Sequence, residues 1–566
     1  MAIRYHVLAC DYDGTLAQDG RVDQPTIEAL ENCRRSGRRL LLVTGRELEE
    51  LLEVFPRTDL FELIVAENGG LLFEPKTKDL TRLAEEPPQQ LVQALRNHNV
   101  APMSIGHVVI ATWRPHETVV LQCIRDLGLE MQVIFNKDAV MVLPSGVNKA
   151  SGLAAALKKL GLSQHNAVAV GDAENDHAFL SACEFGCAVE NALPALKERA
   201  DLVTKGNHGK GVVELIDALV ADDLASCANR LKRHSILLGT TGDAEVVIDP
   251  YETGILLTGS SGSGKSTLST GFIERLAEKK YQYCIIDPEG DYQNLDEAIV
   301  LGDSNKEPSL HEILDLLADP ANNVVVNLLG LALDHRPSFF DQLYPRLLEL
   351  RAATGRPHWI ILDEAHHFLP ASWQRDNSML QDLRGLLAIT VHHEHIPPIL
   401  PTKFNTFVLT GNEPEVALSR FAEHVGTPTP NFEGGLDAGQ FLIWRWQTGE
   451  SPLKFVVAPP RAEHHRHNRK YAEGELEPDR SFYFRGPEGK LSLRAQNLIM
   501  FAQLAQGIDD ETWKYHLQNG DYSAWFRNGI KDDDLADEAA AIEQNPNGDT
   551  RASIREAIAR RYTLPA

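Results

Sequence analysis

The sequence predicts an α/β protein in three parts: a Rossmann-like core with an inserted α+β cap, a second α/β domain, and a small helical C-terminal domain. Three observations predict it. Short apolar runs alternate with helical stretches over residues 4–73, resume at 149–170 and begin again at 255; strands alternating with helices build parallel sheets. Acidic or glycine-rich motifs follow the apolar runs directly, at the carboxyl ends of strands where open α/β sheets place their chemistry. Beyond residue 459 the strand pattern yields to a helical one that includes Trp513, Trp525 and Phe526.

The chain has 566 residues, enough for several domains of about 150 residues each. The expected divisions are 1–218 for the first domain with a cap at about 76–143, a polar linker at 219–235, the second α/β domain at 236–458, and the helical domain at 459–566. In the first, runs 5–9, 40–43 and 63–66 read as buried strands, with helices at 24–35 and 47–55 between them. Runs 108–112, 131–135 and 139–143 belong to a separate mixed sheet, after which βα spacing returns at 149–160 and 167–170. An inserted module explains that return. In the second domain, strands are expected at 255–258, 283–286, 324–328, 359–362, 386–391 and 406–410. The last domain reads as helix-rich over 491–530, a loop at 543–550 and a final helix at 551–561.

Composition narrows the function classes. Net charge is −25, from 80 acidic and 55 basic residues, which disfavours broad nucleic-acid binding and docking on anionic membranes. No apolar run reaches 18 residues, so no membrane span is expected. The first ten residues run straight into a strand, leaving no room for a signal peptide. The seven cysteines form no CxxC pair, which suggests reduced thiols in a cytoplasm. Cys183 and Cys187, four apart, read as core packing.

The first site begins with Asp11-Tyr12-Asp13-Gly14-Thr15. A carboxylate at a strand's end can attack phosphorus, and Asp13 can protonate the leaving oxygen and later deprotonate water. Thr44-Gly45-Arg46 ends the next strand and offers a hydroxyl to a phosphoryl group; Lys149 offers a charge against the developing anion. Gly171-Asp172-Ala173-Glu174-Asn175-Asp176 supplies carboxylates that suit Mg²⁺, a hard cation.

The second site is Gly259-Ser260-Ser261-Gly262-Ser263-Gly264-Lys265-Ser266, between an apolar run and an amphipathic stretch. Loop N–H groups can cradle phosphates, Lys265 can reach the β and γ oxygens, and Ser266 can hold Mg²⁺. Thr267 follows at the edge of the same nucleotide site. A later apolar run ends in Asp363-Glu364; Asp363 supports the metal through water, and Glu364 polarises the attacking water. Arg384 and Arg420 are candidates for an arginine finger.

The set DxDGT, TGR, Lys and GDxxND, in that order, resembles the haloacid dehalogenase superfamily over roughly residues 4–218. Glu67-Asn68-Gly69-Gly70, Leu143-Pro144-Ser145-Gly146 and the insert resemble the Cof-like subclass IIB with its type II cap. The resemblance implies Asp11 as nucleophile, Asp13 as acid/base, and Asp11, Asp172, Asp176 and the Asp13 carbonyl as Mg²⁺ ligands. Asp287-Pro288-Glu289-Gly290-Asp291-Tyr292 resembles a segment of the HerA/FtsK-like P-loop ATPases over about 236–450. Two departures stand out: His392-His393 occupies the place of a glutamine sensor, and no arginine finger is evident.

Weaker signals have plainer readings. His392-His393-Glu394-His395 lacks the helix spacing of a zinc site and reads as a loop. His464 to Lys470 reads as a solvated linker, and Asp532-Asp533-Asp534 as a helix start or exposed surface. The expected function is a Mg²⁺-dependent phosphatase acting on a small, sugar-phosphate-like ester, fused to an ATP-binding and hydrolysing domain that regulates it. A nucleic-acid translocase or end-processing enzyme is one alternative; ATP as a sensing ligand only is the other. A homo-oligomer is compatible with either.

Overall fold

Buried apolar runs become strands, and the strands set where each motif sits. The computed structural model describes the chain apart from residues 1–2, 137, 252, 261, 294, 296, 370–382, 392–395, 398, 433, 462–475, 477–479, 531, 547 and 563–566. The chain opens with β1 (Val7–Asp11), β2 (Arg39–Val43), β3 (Leu63–Ala66), β4 (Leu71–Glu74) and β5 (Asp79–Arg82). The cap follows as β6 (Met103–Ile105), β7 (Ile110–Trp113), β8 (Met131–Asn136) and β9 (Ala139–Pro144), and the chain returns through β10 (Ala167–Gly171), β11 (Phe185–Ala188) and β12 (Leu202–Val203). The core sheet has the order β12-β11-β10-β1-β2-β3-β4-β5. It is parallel up to β3, so β1, β2 and β10 bring their carboxyl ends to one edge. Asp11 is the last residue of β1, not the residue beyond a strand at 5–9.

Two boundaries differ from expectation. Residues 79–82 pair with β4 and extend the core sheet, so the cap begins after them rather than at about 76. Its four strands pack one face against the helices Gln89–Asn97 and Glu117–Asp126 through Leu91, Leu95, Val120 and Ile124. The expected linker is not a solvated tether. The helix His208–Asp222 runs into it, Leu224 and Leu231 are buried, and Arg233 donates to the carbonyls of Ser181, Cys183 and Glu184. Polar residues spaced between two leucines hid a packed segment.

The second sheet begins with a hairpin absent from the sequence reading, β13 (Ile236–Thr241) and β14 (Ala244–Ile248). It continues through β15 (Ile255–Gly259), β16 (Tyr283–Asp287), β17 (Ile299–Leu301), β18 (Val324–Asn327), β19 (Trp359–Leu362), β20 (Leu386–Thr390), β21 (Thr406–Thr410), β22 (Gln440–Trp444) and β23 (Leu453–Val457). The strand order is β14-β13-β23-β22-β21-β15-β20-β19-β16-β18-β17. The phosphate-loop strand β15 and the Asp-Glu strand β19 are thus parallel and separated by β20. The helix Lys265–Glu278 covers one face through Leu268, Phe272 and Ile273, and Arg336–Thr354 and Pro414–Val425 cover the other.

The C-terminal domain opens with a hairpin, β24 (Phe482–Phe484) and β25 (Leu493–Ala495), before its helices Leu498–Gly507, Asp510–Asn519, Asp521–Trp525, Asp533–Gln544 and Thr550–Arg561. Trp513, Trp525 and Phe526 lie in its core. Asp532 caps the helix Asp533–Gln544, accepting from Leu535 N.

The first two domains meet along a buried polar seam. His165 stacks on Tyr281 with centroids 3.8 Å apart. Its Nδ1 lies 2.7 Å from Glu184 Oε2 and its Nε2 2.6 Å from the Lys279 carbonyl. Both ring nitrogens face oxygen atoms. Tyr281 Oη donates to Glu184, Arg356 donates to the Gly161 carbonyl, and Tyr251 Oη donates to the His165 carbonyl. These residues precede β10, β11, β16 and β19. The sheets therefore meet at the amino ends of their strands, and their carboxyl ends point away from each other.

Candidate active sites

At the carboxyl edge of the first sheet, β1 delivers Asp11 and the turn after β10 delivers Asp172 and Asp176. One oxygen from each of the three lies within 4.8 Å of the others, and all three residues are buried. The helix Lys149–Lys159, capped by Asn148, places Lys149 among them: its Nζ donates to Asp11 Oδ1 at 2.5 Å and to Asp176 Oδ1 at 2.6 Å. Asp176 Oδ2 in turn accepts from the backbone N–H groups of Asp172 and Ala173. Thr15 donates to Asp172. Gly14 has φ +84, and a Cβ there would lie 2.3 Å from Asp172 Oδ2, so only glycine lets this loop close on the carboxylate.

Burial pushes the Asp11 carboxyl well above the usual carboxylate range. Lys149 opposes that push, while Asp176 and Asp172 add to it. Burial acts downward on Lys149, but Asp11 and Asp176 outweigh it and hold the ammonium charged. Lys149 thus bonds two of three clustered, buried carboxylates, Asp11 and Asp176. Asp11 Oδ2 has no hydrogen-bond partner among the described residues. This oxygen-rich, undercompensated cluster fits a divalent hard cation.

Asp13 is not part of that cluster through its carboxylate. Arg46 grips both its oxygens, at 2.6 and 2.7 Å, and the Asp13 carbonyl is the atom that the resemblance assigns to metal. Thr44 is buried at the end of β2, and its hydroxyl accepts from Arg46 N. Sequence reasoning passed over Arg46 although it ends a motif already singled out. Glu67 figures in the sequence reading only as part of the cap-subclass resemblance, with no role of its own. This carboxylate accepts from the N–H groups of His107, Val108 and Val109, fixing the cap's entry to the core. Nearby, Asn175 Nδ2 donates to Asn68 Oδ1, leaving Asn68 Nδ2 and Asn175 Oδ1 buried and without partners among the described residues. The cap reaches the site through Met141, whose Sδ would lie 3.5 Å from a Cβ on Gly45.

In the second domain, β15 ends at Gly259 and the helix Lys265–Glu278 starts behind Gly264, whose φ is +107. The N–H groups of a helix start, with the helix dipole, favour an anion. Lys265 Nζ rests on the carbonyls of Gly259 and Ser260 at 2.7 and 3.2 Å, and Ser266 lies one residue on in the helix. Gly262, Ser263, Gly264 and Thr267 line a cavity of about 330 Å³ that Phe441 and Gly439 close.

Asp363 and Glu364 follow β19 and are buried. Burial, then Glu364, Asp291 and Asp287, raise the Asp363 carboxyl well above its ordinary value. Asp287 ends β16 beside β19. Its carboxylate accepts from the N–H groups of Glu289, Gly290 and Tyr292 and so folds the turn after it. Burial, then Asp291, push it up to about 6 against those bonds.

Of the two arginine candidates, Arg384 precedes β20, at the end of that strand away from this chain's own phosphate loop, where its carbonyl accepts from Arg351. Arg420 lines a cavity of about 330 Å³ beside Gly259 and Ser260. The clusters His392–His395 and His464–Lys470 lie outside the described residues. All seven cysteines are free, and Cys183 and Cys187 are buried in the first core. No helix among the described residues is long and apolar enough to cross a membrane.

Known proteins resemble the chain domain by domain. Residues 8–106 and 132–216 match the haloacid dehalogenase-like hydrolase family, and residues 249–400 match an AAA domain. A phosphoglycolate phosphatase of Methanothermobacter thermautotrophicus is 30% identical over 215 residues, covering 37% of this chain and 96% of the relative. Phosphoglycolate phosphatase 2 of Saccharolobus solfataricus is 30% identical, covering 38% of this chain and 92% of the relative. Among solved structures, a haloacid dehalogenase-like hydrolase from Bacteroides thetaiotaomicron aligns with a TM-score of 0.34 and 20% identity over 38% of this chain and 99% of that one. The chain is thus a hydrolase with a phosphatase domain and an AAA-type nucleotide-binding domain, and through the former it belongs to the haloacid dehalogenase-like hydrolase family.

Proposed function

We propose that the first domain is a Mg²⁺-dependent phosphatase of the Cof-like subclass acting on a small phosphate monoester. The observation that carries this is Asp11: one oxygen bound to Lys149, the other buried and without a partner, inside a cluster of three carboxylates. Asp11, Asp172, Asp176 and the Asp13 carbonyl would hold the cation, which supplies charge neutralisation for the nucleophile and the phosphoryl oxygens. Asp11 Oδ2 attacks phosphorus, an oxygen–phosphorus bond forms to give an acyl phosphate on Asp11, and the bond to the leaving oxygen breaks. Asp13 gives that oxygen a proton, then takes one from the water that cleaves the aspartyl-phosphate. In the free enzyme Arg46 occupies both Asp13 oxygens, so a bound substrate must loosen that grip before Asp13 can donate. Thr44 binds the transferring group, and Lys149 keeps Asp11 oriented. Phosphoglycolate, the substrate in the relatives' names, is the first ester to test.

The second domain is proposed to bind and hydrolyse ATP with Mg²⁺, at Gly259, Gly262, Gly264, Lys265, Ser266 and Thr267, with Asp363 and Glu364 as the metal-supporting and water-polarising acids. The turn folded by Asp287 supports the HerA/FtsK-like assignment. This domain regulates the phosphatase from the far side of the seam, in a cytoplasmic protein.

Phosphate release from phosphoglycolate and sugar phosphates tests the reading. Asp11→Asn is expected to lower ester turnover at least about a thousandfold, the scale of losing a nucleophile, and to leave ATP hydrolysis intact. Full ester turnover by this variant would overturn the assignment. Removing divalent cations with a chelator is expected to stop both activities.

A further inference from the structure

We infer that Arg480, carried by the C-terminal domain, is the phosphate-reading cation of the nucleotide site, supplied from within the same chain. This rests on the reading of residues 259–266 as a triphosphate-binding loop. Arg480 lies far from that loop in sequence, yet its guanidinium sits against it. A Cβ built on Gly262 would lie 2.9 Å from Arg480 Nη1, 3.6 Å from Cζ and 3.8 Å from Nη2. Gly262 has φ +76, so glycine serves both the turn and the close approach of the arginine.

The guanidinium is held from behind by the fold. Arg480 Nη2 donates to the Gly529 carbonyl at 2.9 Å, and the Arg480 carbonyl accepts from Trp525 Nε1 at 2.8 Å. Trp525 belongs to the domain's aromatic core, against Phe482 and Phe501. The charge therefore reaches the loop from a packed support.

The chemistry of the place is specific. N–H groups of the loop receive phosphate oxygens, and a planar guanidinium beside them can bind two such oxygens at once. Charge accumulates at the β and γ phosphates during transfer, and an arginine there stabilises it. The other candidates do not fill this position: Arg384 is at the far end of β20, and Arg420 faces Gly259 and Ser260 rather than the Gly262 turn. The ligand class is a nucleoside triphosphate in preference to a diphosphate. As the guanidinium turns to the phosphates it gives up the Gly529 carbonyl, so the C-terminal domain registers which nucleotide is bound.

The test compares wild type, Arg480→Ala and Arg480→Lys in the full chain. It measures affinity for Mg-ATP and Mg-ADP by calorimetry, ATP turnover, and the nucleotide-free melting temperature with phosphatase rate as folding controls. Arg480→Ala is expected to lose at least about tenfold in ATP affinity or turnover and less than about threefold in ADP affinity. Arg480→Lys is expected to recover part of the affinity but not the turnover, since lysine keeps the charge without the fork. If Arg480→Ala melts early, the ATP-to-ADP ratio of Arg480→Lys decides, because damaged folding weakens both nucleotides alike. An unchanged ratio and turnover in a variant that folds, with wild type binding ATP, overturns the inference alone. Wild type binding neither nucleotide overturns the underlying reading and this inference with it.

Discussion

His234 illustrates how a single buried side chain sets a pH response. It lies 3.5 Å from Glu184 at the seam. Burial lowers its pKa to about 4, against the partly opposing charge of Glu184. Unfolded, the ring titrates near 6.5. Between these values the unfolded chain carries a proton that the folded chain does not, so stability rises with pH across the window and is lost as pH falls from about 6.5 to about 4. The loss from this group alone is of order 3 kcal/mol. Glu184 acts in the same direction at lower pH. Burial pushes it up, but the hydrogen bond and charge of His165 and the charge of Arg4 hold it down at about 2, so its contribution fades as pH falls from about 4.5 to about 2. Urea midpoints at pH 7, 5.5 and 4.5 are expected to fall with acidity, and His234→Gln is expected to flatten that slope. An equally steep slope in the variant would mean that other groups carry the acid response.

At the scale of elements, the Lys149 helix is the part that makes the first site work, and its packing is tight. Gly152, one turn after Lys149, faces the loop of Glu67-Asn68-Gly69. A Cβ there would lie 2.5 Å from Val65 Cγ1 and 2.6 Å from Gly69 Cα. Gly152→Ala is thus expected to displace the helix, cost about 1–3 kcal/mol as overpacking does, and lower phosphatase kcat by moving Lys149 off Asp11, while ATP turnover stays near wild type. A thermal melt and the two rates check it; an unshifted melt with full phosphatase rate would mean that the helix has room. The motifs that the helix and its neighbours carry were legible because each is contiguous and follows an apolar run: Asp11, Lys149, Asp172 and Asp176 could be read as one site before any fold was known. Glu67's grip on the cap, Arg480's approach to Gly262 and the seam residues were not legible. Each joins segments distant in sequence, and isolated polar residues carry no periodic signal. The β13–β14 hairpin falls inside the expected second domain, but its short runs, mixed with polar residues, gave no strand there.

For the whole molecule, the meeting of the two sheets at their amino ends decides what kind of coupling is possible. Strand rise is about 3.3 Å per residue, so two five-residue strands joined through the seam separate Asp11 from the phosphate loop by roughly 35–40 Å. The sites open at opposite ends, which rules out handing a phosphorylated product directly from one to the other. What joins them is a line of packed elements. The helix Lys265–Glu278 starts at the glycine-rich loop; the carbonyl just beyond its end, that of Lys279, lies 2.6 Å from His165 Nε2; β10 starts two residues after His165 and ends at Gly171, beside Asp172. Spatial continuity of this kind is not itself coupling, but it names the residue to break. If ATP changes phosphatase turnover through this line, His165→Gln, which contacts neither site, is expected to remove the ATP effect and leave both separate rates within about twofold of wild type. Lys265→Ala is expected to remove the ATP effect as well, through loss of nucleotide contact. Phosphoglycolate turnover with and without ATP in these variants is the measurement. An ATP effect that survives His165→Gln and is lost in Lys265→Ala would place the coupling outside the seam, in the C-terminal domain that Arg480 connects to the loop.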